Sequence, residues 1–235
     1  KSELIAALDG KGLAVLNADD PLVAGMASVS AAKVITFGSG EDADVRVEGM
    51  TTGAGGCVSA TVRTPWGAAP LEMHVPGVHI AVDAAAAVAV AGHLGCDVAK
   101  AAAQVSSFAA VSGRMKVHHL GDGCTLIDDS YNANPSSVEA ALRTLASISA
   151  ENRIAVLGAM AEISDPGPEH ARIQALAESL GIHVVVLEDA PYPQHGVSVT
   201  DAVAVVHNGG ANTAVLVKGS RAARTERVVV ALLAP

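Results

Sequence analysis

"IDDSYNANPSSVEAAL" runs from Ile127 to Leu142, and its reading decides the fold. An apolar run ends on Asp128 and Asp129. A helical pattern then opens at Pro135, with Val138, Leu142 and Leu145 on one face. Pro135 suits the first helical position, where its missing N–H is not needed, and Asn134 suits the N-cap. The stretch is the junction of a strand and a helix. Capping accounts for Asn134 but not for Asp128, Asp129, Tyr131 and Asn132. These lie at a helix start, where free N–H groups and the helix dipole favour an anion such as phosphate. Two carboxylates would repel it unless Mg²⁺ or a cationic group lies between, or one carboxylate orients a ribose or an amine. A solvated turn is the competing account of the acidic pair.

Working outward, strand and helix patterns alternate on both sides of this junction. Strands are expected at 116–120, 123–128, 153–158, 183–187 and 213–217, with helices at 135–149, 168–180, 200–207 and 223–233. That order predicts a doubly wound, mostly parallel sheet, whose ligands bind at the carboxyl ends of the strands. Three polar segments follow strands: "IDDSYNANP", "LGAMAEIS" after "IAV", and "KGSR" (Lys218–Arg221) after "AVLV". They converge on one sheet edge. Lys218 supplies a point charge and Arg221 a fork for a carboxylate. Gly219 lets the backbone approach a ligand, and Ser220 adds a hydroxyl. A solvated basic turn is the alternative. His170, early in a helix pattern, reads as a surface or core histidine.

Upstream, residues 2–9 read as a helix and Gly12–Leu16 as a buried strand. A short helix opens at Pro21, and "AKVITFG" is a second buried strand. From Asp44 to Val75 alternation dominates between turn signals and predicts an antiparallel meander of about three strands. Two helices, His79–Gly95 and Asp97–Phe108, follow. A boundary near Gly113 divides the chain into 1–112 and 113–235. The chain opens inside a helical pattern, as the middle of a domain would.

Composition narrows the function. Half of the 235 residues are hydrophobic and only 2% aromatic, so the core must be aliphatic. A net charge of −9 without a basic cluster argues against nucleic acid. The most apolar stretch, Ala84–Ala91, is far shorter than the roughly 20 residues of a membrane span, so no membrane insertion is expected. Cys57, Cys96 and Cys124 are widely spaced, as reduced thiols of a cytoplasmic protein are. GxGxxG, GxxxxGK[ST] and HExxH are absent.

Taken together and in order, "DDSYNANPSSVEAAL", "VLGAMAEIS…H" and "LVKGSR…ERVV" resemble the C-terminal domain of the Mur ligases. "GRMK" resembles their passage between domains. "KSELIAAL", "AVLNADDP" and "PGVHIAVDAAAAVAVA" resemble the later part of their central ATP-binding domain. The Tyr-Asn-Ala-Asn-Pro run resembles the branch that joins D-Ala-D-Ala to UDP-MurNAc-tripeptide. The family's GxxGKT/S phosphate loop is not in these residues, so the chain as given is not expected to turn over ATP alone. Ile80 and Asp83 stand where asparagines are usual. Ala159 replaces a carboxylate, and Thr225 stands at a methionine position while Glu226 remains.

The resemblance implies an α/β fold: part of a central ATPase domain with an antiparallel meander, then a Rossmann-like, doubly wound C-terminal domain. It implies an ATP- and Mg²⁺-dependent, ADP-forming ligase of peptidoglycan precursor synthesis acting through an acyl phosphate, a cytoplasmic monomer. By position, Lys1 matches a carbamylated lysine that helps hold Mg²⁺. Asn17 and His79 would lie near the nucleotide, and Arg114 would contact ATP phosphate once the domains close. Asp129 and Asn132 would face ribose and phosphate, with Tyr131 and Asn134 shaping that end. Lys218, Ser220 and Arg221 would meet the dipeptide. The competing readings are a folylpolyglutamate-synthase-like ligase and a non-catalytic α/β anion-binding module.

Overall fold

The computed structural model describes residues 1–121 and 123–234. They form two compact units: Lys1–Gly53 with Cys57–Phe108, and the residues from Ala109 onward with Ala54–Gly56.

The first unit begins with a short helix, α1 (Ser2–Ala6), followed by β1 (Leu13–Asn17) and α2 (Pro21–Ala24). Asp20 caps α2 by accepting from the Leu22 and Val23 N–H groups, and Pro21 takes its first position. A 3₁₀ turn, Gly25–Val29, leads to β2 (Lys33–Gly38). Then come β3 (Val45–Thr52), β4 (Val58–Thr64) and β5 (Gly67–Glu72), the expected meander. It is not a separate sheet. β3 pairs in parallel with the end of β2 through Phe37–Val45 and Gly38–Arg46, making one five-stranded sheet in the order β1-β2-β3-β4-β5. Helices α3 (Val78–His93) and α4 (Val98–Ser106) pack against it. Val45, Val47, Val58, Val62 and Leu71 meet Ala81, Ala85, Val88 and Ala89 of α3, an aliphatic core as composition requires. Small alanines let the helix backbone approach the sheet closely. The Trp66 indole lies over Gly92, where a Cβ would overlap the ring.

The second unit has strands β6 (Lys116–His119), β7 (Thr125–Asp129), β8 (Asn152–Leu157), β9 (His183–Val186) and β10 (Thr213–Lys218). They alternate with helices α5 (Pro135–Ser147), α6 (Pro166–Ser179), α7 (Val199–Asn208) and α8 (Glu226–Leu233). The order is β6-β7-β10-β8-β9, with only β6 antiparallel to its neighbour. Alternate residues divide between two faces. Leu126, Val156, Val185, Val215 and Val217 pack with α7 and α8. The intervening residues, including Ile127, Leu157 and Leu216, are fully buried on the other side, where α5 and α6 lie on the sheet. Two expected helices differ. The 168–180 helix starts at Pro166, because a proline suits a first turn. The 223–233 helix breaks into a 3₁₀ turn, Arg221–Ala223, and α8, because Arg224 is left-handed at φ 52°. The parallel order brings the ends of β7, β8, β9 and β10 to one edge.

Candidate functional site

β7 delivers Asp128 and Asp129 to that edge on opposite faces of the strand. Both are buried, and they do different things. Asp128 accepts from the Gly113 N–H at 2.8 Å and the Ser112 hydroxyl at 3.2 Å with one oxygen, and from the Ser130 N–H and hydroxyl with the other. It is a tether for the segment entering this unit. Asp129 accepts from the Met115 N–H at 3.2 Å and from Lys218 Nζ at 2.5 Å. Lys218, the last residue of β10, also donates to the Asn132 carbonyl at 3.0 Å. Burial pushes the Asp129 carboxyl above its usual range, and the Lys218 ammonium, the Met115 N–H and the Arg114 charge offset only part of that rise.

The counter-charge that the acidic pair requires is therefore a lysine 89 residues downstream. Lys218, expected from sequence at the dipeptide, is placed here against Asp129. Its side chain is 3% exposed, and its ammonium is engaged by Asp129 and the Asn132 carbonyl. Ser220 is also buried, and its N–H donates to the Ala159 carbonyl at 2.8 Å.

Arg114 and Arg221 face solvent. Both guanidiniums lie over the Tyr131 ring, at 4.1 Å and 5.9 Å from its centroid. Tyr131 is half exposed, and its N–H is held by the Gly113 carbonyl at 3.1 Å. Gly113 has φ 75°, and a Cβ there would press on Tyr131, which explains the glycine in "SGRM". Asn134 performs its capping role. It accepts from the Ser137 N–H at 2.9 Å, and the Ser137 hydroxyl donates to an oxygen of Asn134 and accepts from its N–H, a reciprocal box. Its side-chain oxygen is thus committed to the helix start.

The loop after β8 ties the edge together. The Gly158 N–H donates to the Lys218 carbonyl at 2.9 Å, and the Ala161 N–H to the Ala133 carbonyl at 3.1 Å. Gly158 and Gly219 are obligatory, since a Cβ on either would lie 2.5 Å from Thr225 Cγ2. Beside this contact opens a cleft of about 420 Å³, walled by Ala159, Glu188, Ser220, Ala223, Arg224 and Arg227 among others. Arg227 pairs with Glu188 at 2.8 Å across it.

In the first unit, Lys1 is exposed at the start of α1. Asn17 ends β1 and accepts from the Asp19 N–H at 2.9 Å. His79 lies in the first turn of α3, after Gly77 at φ 119°. Ile80 packs on the core and Asp83 is exposed. Among the described residues no three His, Cys, Asp or Glu side chains gather as a metal site. Asp128 and Asp129 are committed to protein partners, so the residues present do not fit Mg²⁺ by themselves. Sequence reasoning missed the backbone part of the site: the Gly113 and Met115 N–H groups and the Asn132 carbonyl. The only available signal was the turn-forming "SGRM".

The fold and the site define a class: a doubly wound α/β domain with paired guanidiniums and a buried ion pair at its strand ends, preceded by a mixed-sheet unit. The chain matches the model of the Mur ligase middle domain over residues 1–91 and that of the Mur ligase glutamate ligase domain over 113–231. It belongs to the Mur ligase family. It is 38% identical to the UDP-N-acetylmuramoyl-tripeptide–D-alanyl-D-alanine ligase of Mycobacterium tuberculosis over 80% of this chain and 38% of that protein. The ligase of the same name from Escherichia coli K12 is 30% identical over 99% of this chain and 54% of its own length. The chain thus spans about half or less of these relatives. Its fold is that of MurF from Acinetobacter baumannii, with a TM-score of 0.87 at 23% identity over 99% of this chain and 54% of that one. It is also that of MurF from Thermotoga maritima, solved with ADP, with a TM-score of 0.81 at 23% identity over 98% and 55%.

Proposed function

We propose that this chain supplies part of the ATP-binding domain and the C-terminal ligase domain of an ATP-dependent ligase that joins D-Ala-D-Ala to UDP-MurNAc-tripeptide. The observation that carries the reading is the Arg114–Tyr131–Arg221 cluster beside the buried Lys218–Asp129 pair, in a chain 30–38% identical to ligases of that name. In the reaction, a terminal carboxylate oxygen of the tripeptide takes the γ-phosphoryl group of ATP, releasing ADP. The dipeptide amine then attacks the acyl phosphate carbon. The resulting tetrahedral intermediate loses phosphate, and the amine gives up its proton.

Negative charge is present at every stage, so solvent-facing cations favour it. Arg114 and Arg221 are such cations, spaced by one aromatic ring. Lys218 acts indirectly. It fixes Asp129 and the Asn132 carbonyl, and so sets the loop at the start of α5. Asn132 and Asp129 serve the nucleotide end, while Ser220 borders the cleft that receives the acceptor and Arg221, over the Tyr131 ring, meets the same substrate. Mg²⁺ accompanies the nucleotide in this reading, and Lys1, as a carbamate, would help to hold it. In the first unit Lys1, Asn17 and His79 are assigned to the nucleotide or its metal. The protein works as a cytoplasmic monomer without nucleic acid. Among the described residues no helix is long and apolar enough to cross a membrane.

The test is ADP release by the full-length protein with Mg-ATP and UDP-MurNAc-tripeptide. Release that requires D-Ala-D-Ala supports the reading. Release that requires a folate and glutamate instead moves the protein to the folylpolyglutamate type, and no release with either leaves an anion-binding module.

A further inference from the structure

His170 reads from sequence as an ordinary helix histidine, yet it is completely buried, and both ring nitrogens are used. Nε2 accepts from the Met160 N–H at 2.9 Å, and Nδ1 donates to the Pro166 carbonyl at 2.5 Å. Because the Met160 contact comes from a backbone N–H, Nε2 must carry a lone pair. That fixes the neutral tautomer with its proton on Nδ1. The Tyr192 ring meets the imidazole edge-on, with centroids 4.6 Å apart and planes at 85°.

The position of that bond matters. Gly158, Ala159, Met160 and Ala161 are consecutive, and each spends a backbone group on a different neighbour. Gly158 N–H goes to the Lys218 carbonyl, Ala159 carbonyl to the Ser220 N–H, and Ala161 N–H to the Ala133 carbonyl. Met160 alone is held by a side chain, and that side chain is His170. The loop is a strut between the β7–α5 loop, which carries Tyr131 and Asn132, and the β10 loop, which carries Ser220 and Arg221.

We infer that His170 is a positioning residue: by accepting from Met160 it pins the β8–α6 loop and thereby sets the spacing of the two site loops on either side. It touches neither substrate. The functional half of this inference rests on the ligase reading above; the structural half does not.

Two arms keep these apart. In the ¹⁵N-labelled 235-residue chain, a scalar coupling across the Met160 N–H···Nε2 hydrogen bond, with Nδ1 protonated, is expected. Its absence in wild type overturns the inference without any variant being needed. His170→Gln places an amide oxygen near the Nε2 position, whereas His170→Leu keeps bulk and removes the acceptor. In His170→Leu, amide exchange at Met160, Ala161 and Ser220 should quicken by about tenfold or more, with the β8 and β10 amides unchanged, while Gln restores most of the protection. Equal exchange in wild type and His170→Leu overturns the inference. In the full-length protein, kcat/KM for D-Ala-D-Ala should fall about tenfold or more in His170→Leu and recover to within about threefold in His170→Gln. If wild type shows no dipeptide-dependent ADP release, the ligase reading fails while the coupling and exchange arms still decide the role of His170. If wild type is active and both variants match it, the positioning role is overturned.

Discussion

Lys218 and Asp129, 89 residues apart in sequence, meet at 2.5 Å in the interior of the second unit, where the parallel strands β10 and β7 end side by side in register. Neither charge reaches solvent freely. Breaking a buried pair by removing one partner strands the other, at a cost of about 3–5 kcal/mol. Asp129→Leu and Lys218→Met should each destabilise the second unit by about that much. The double variant should recover more than half of the loss. Calorimetric unfolding checks this, and additive losses would mean the two residues do not act as a pair.

The approach of Gly158 and Gly219 to Thr225 predicts a steric coupling. Gly219→Ala should cost about 1–3 kcal/mol through overlap with Thr225 Cγ2. Adding Thr225→Ser, which removes that methyl, should return about half. Thr225 Oγ1 is buried without a hydrogen-bond partner. Thr225→Val, which keeps the shape and removes the hydroxyl, should therefore be neutral or stabilising by up to about 1 kcal/mol. Denaturant midpoints at constant slope report all three.

Tyr131 shares its ring between Arg114 and Arg221. Tyr131→Phe keeps the ring and should keep kcat/KM for Mg-ATP within about twofold. Tyr131→Leu releases both guanidiniums and should lower it by about 3- to 30-fold, the range of a cation–π contact. Equal loss in both variants would assign the effect to the hydroxyl.

Acid should act on the second unit through Glu139 rather than through Asp129. The Arg143 and Arg172 side chains hold the Glu139 carboxyl below its ordinary 4.5. A lowered folded pKa contributes stability that is full above 4.5 and is lost as pH falls through the lower folded value. Asp129 has the opposite sign. Its folded value lies above 3.8, so protonation favours the folded state, and that advantage is lost as pH rises through the folded value. Glu139→Gln should flatten the acid limb of the stability profile, measured by unfolding across pH 3 to 6. An unchanged limb would remove this cluster as the acid-sensitive element.

The sequence alone determined the strands and α-helices of the second unit to within a few residues, though not the 3₁₀ turn Arg221–Ala223, since apolar runs bounded by Asn134-Pro135, Gly and polar clusters carry local information. It also determined that three polar loops share an edge, because parallel order puts successive strand ends together. The Asn134 cap was legible because capping involves neighbours three residues apart. The aliphatic core followed from composition. What only the tertiary structure decided is which charges face water. Lys218 and Arg221 stand three residues apart and read alike as cations, yet one is buried against Asp129 and the other lies over Tyr131. His170 shows no local pattern that marks its partners, because Met160 reaches it across a turn and Tyr192 from a separate loop. The union of β3 with β2 likewise depends on two pairings at a strand end. Burial and long-range pairing belong to the assembled sheet, so residue type and spacing cannot state them in advance.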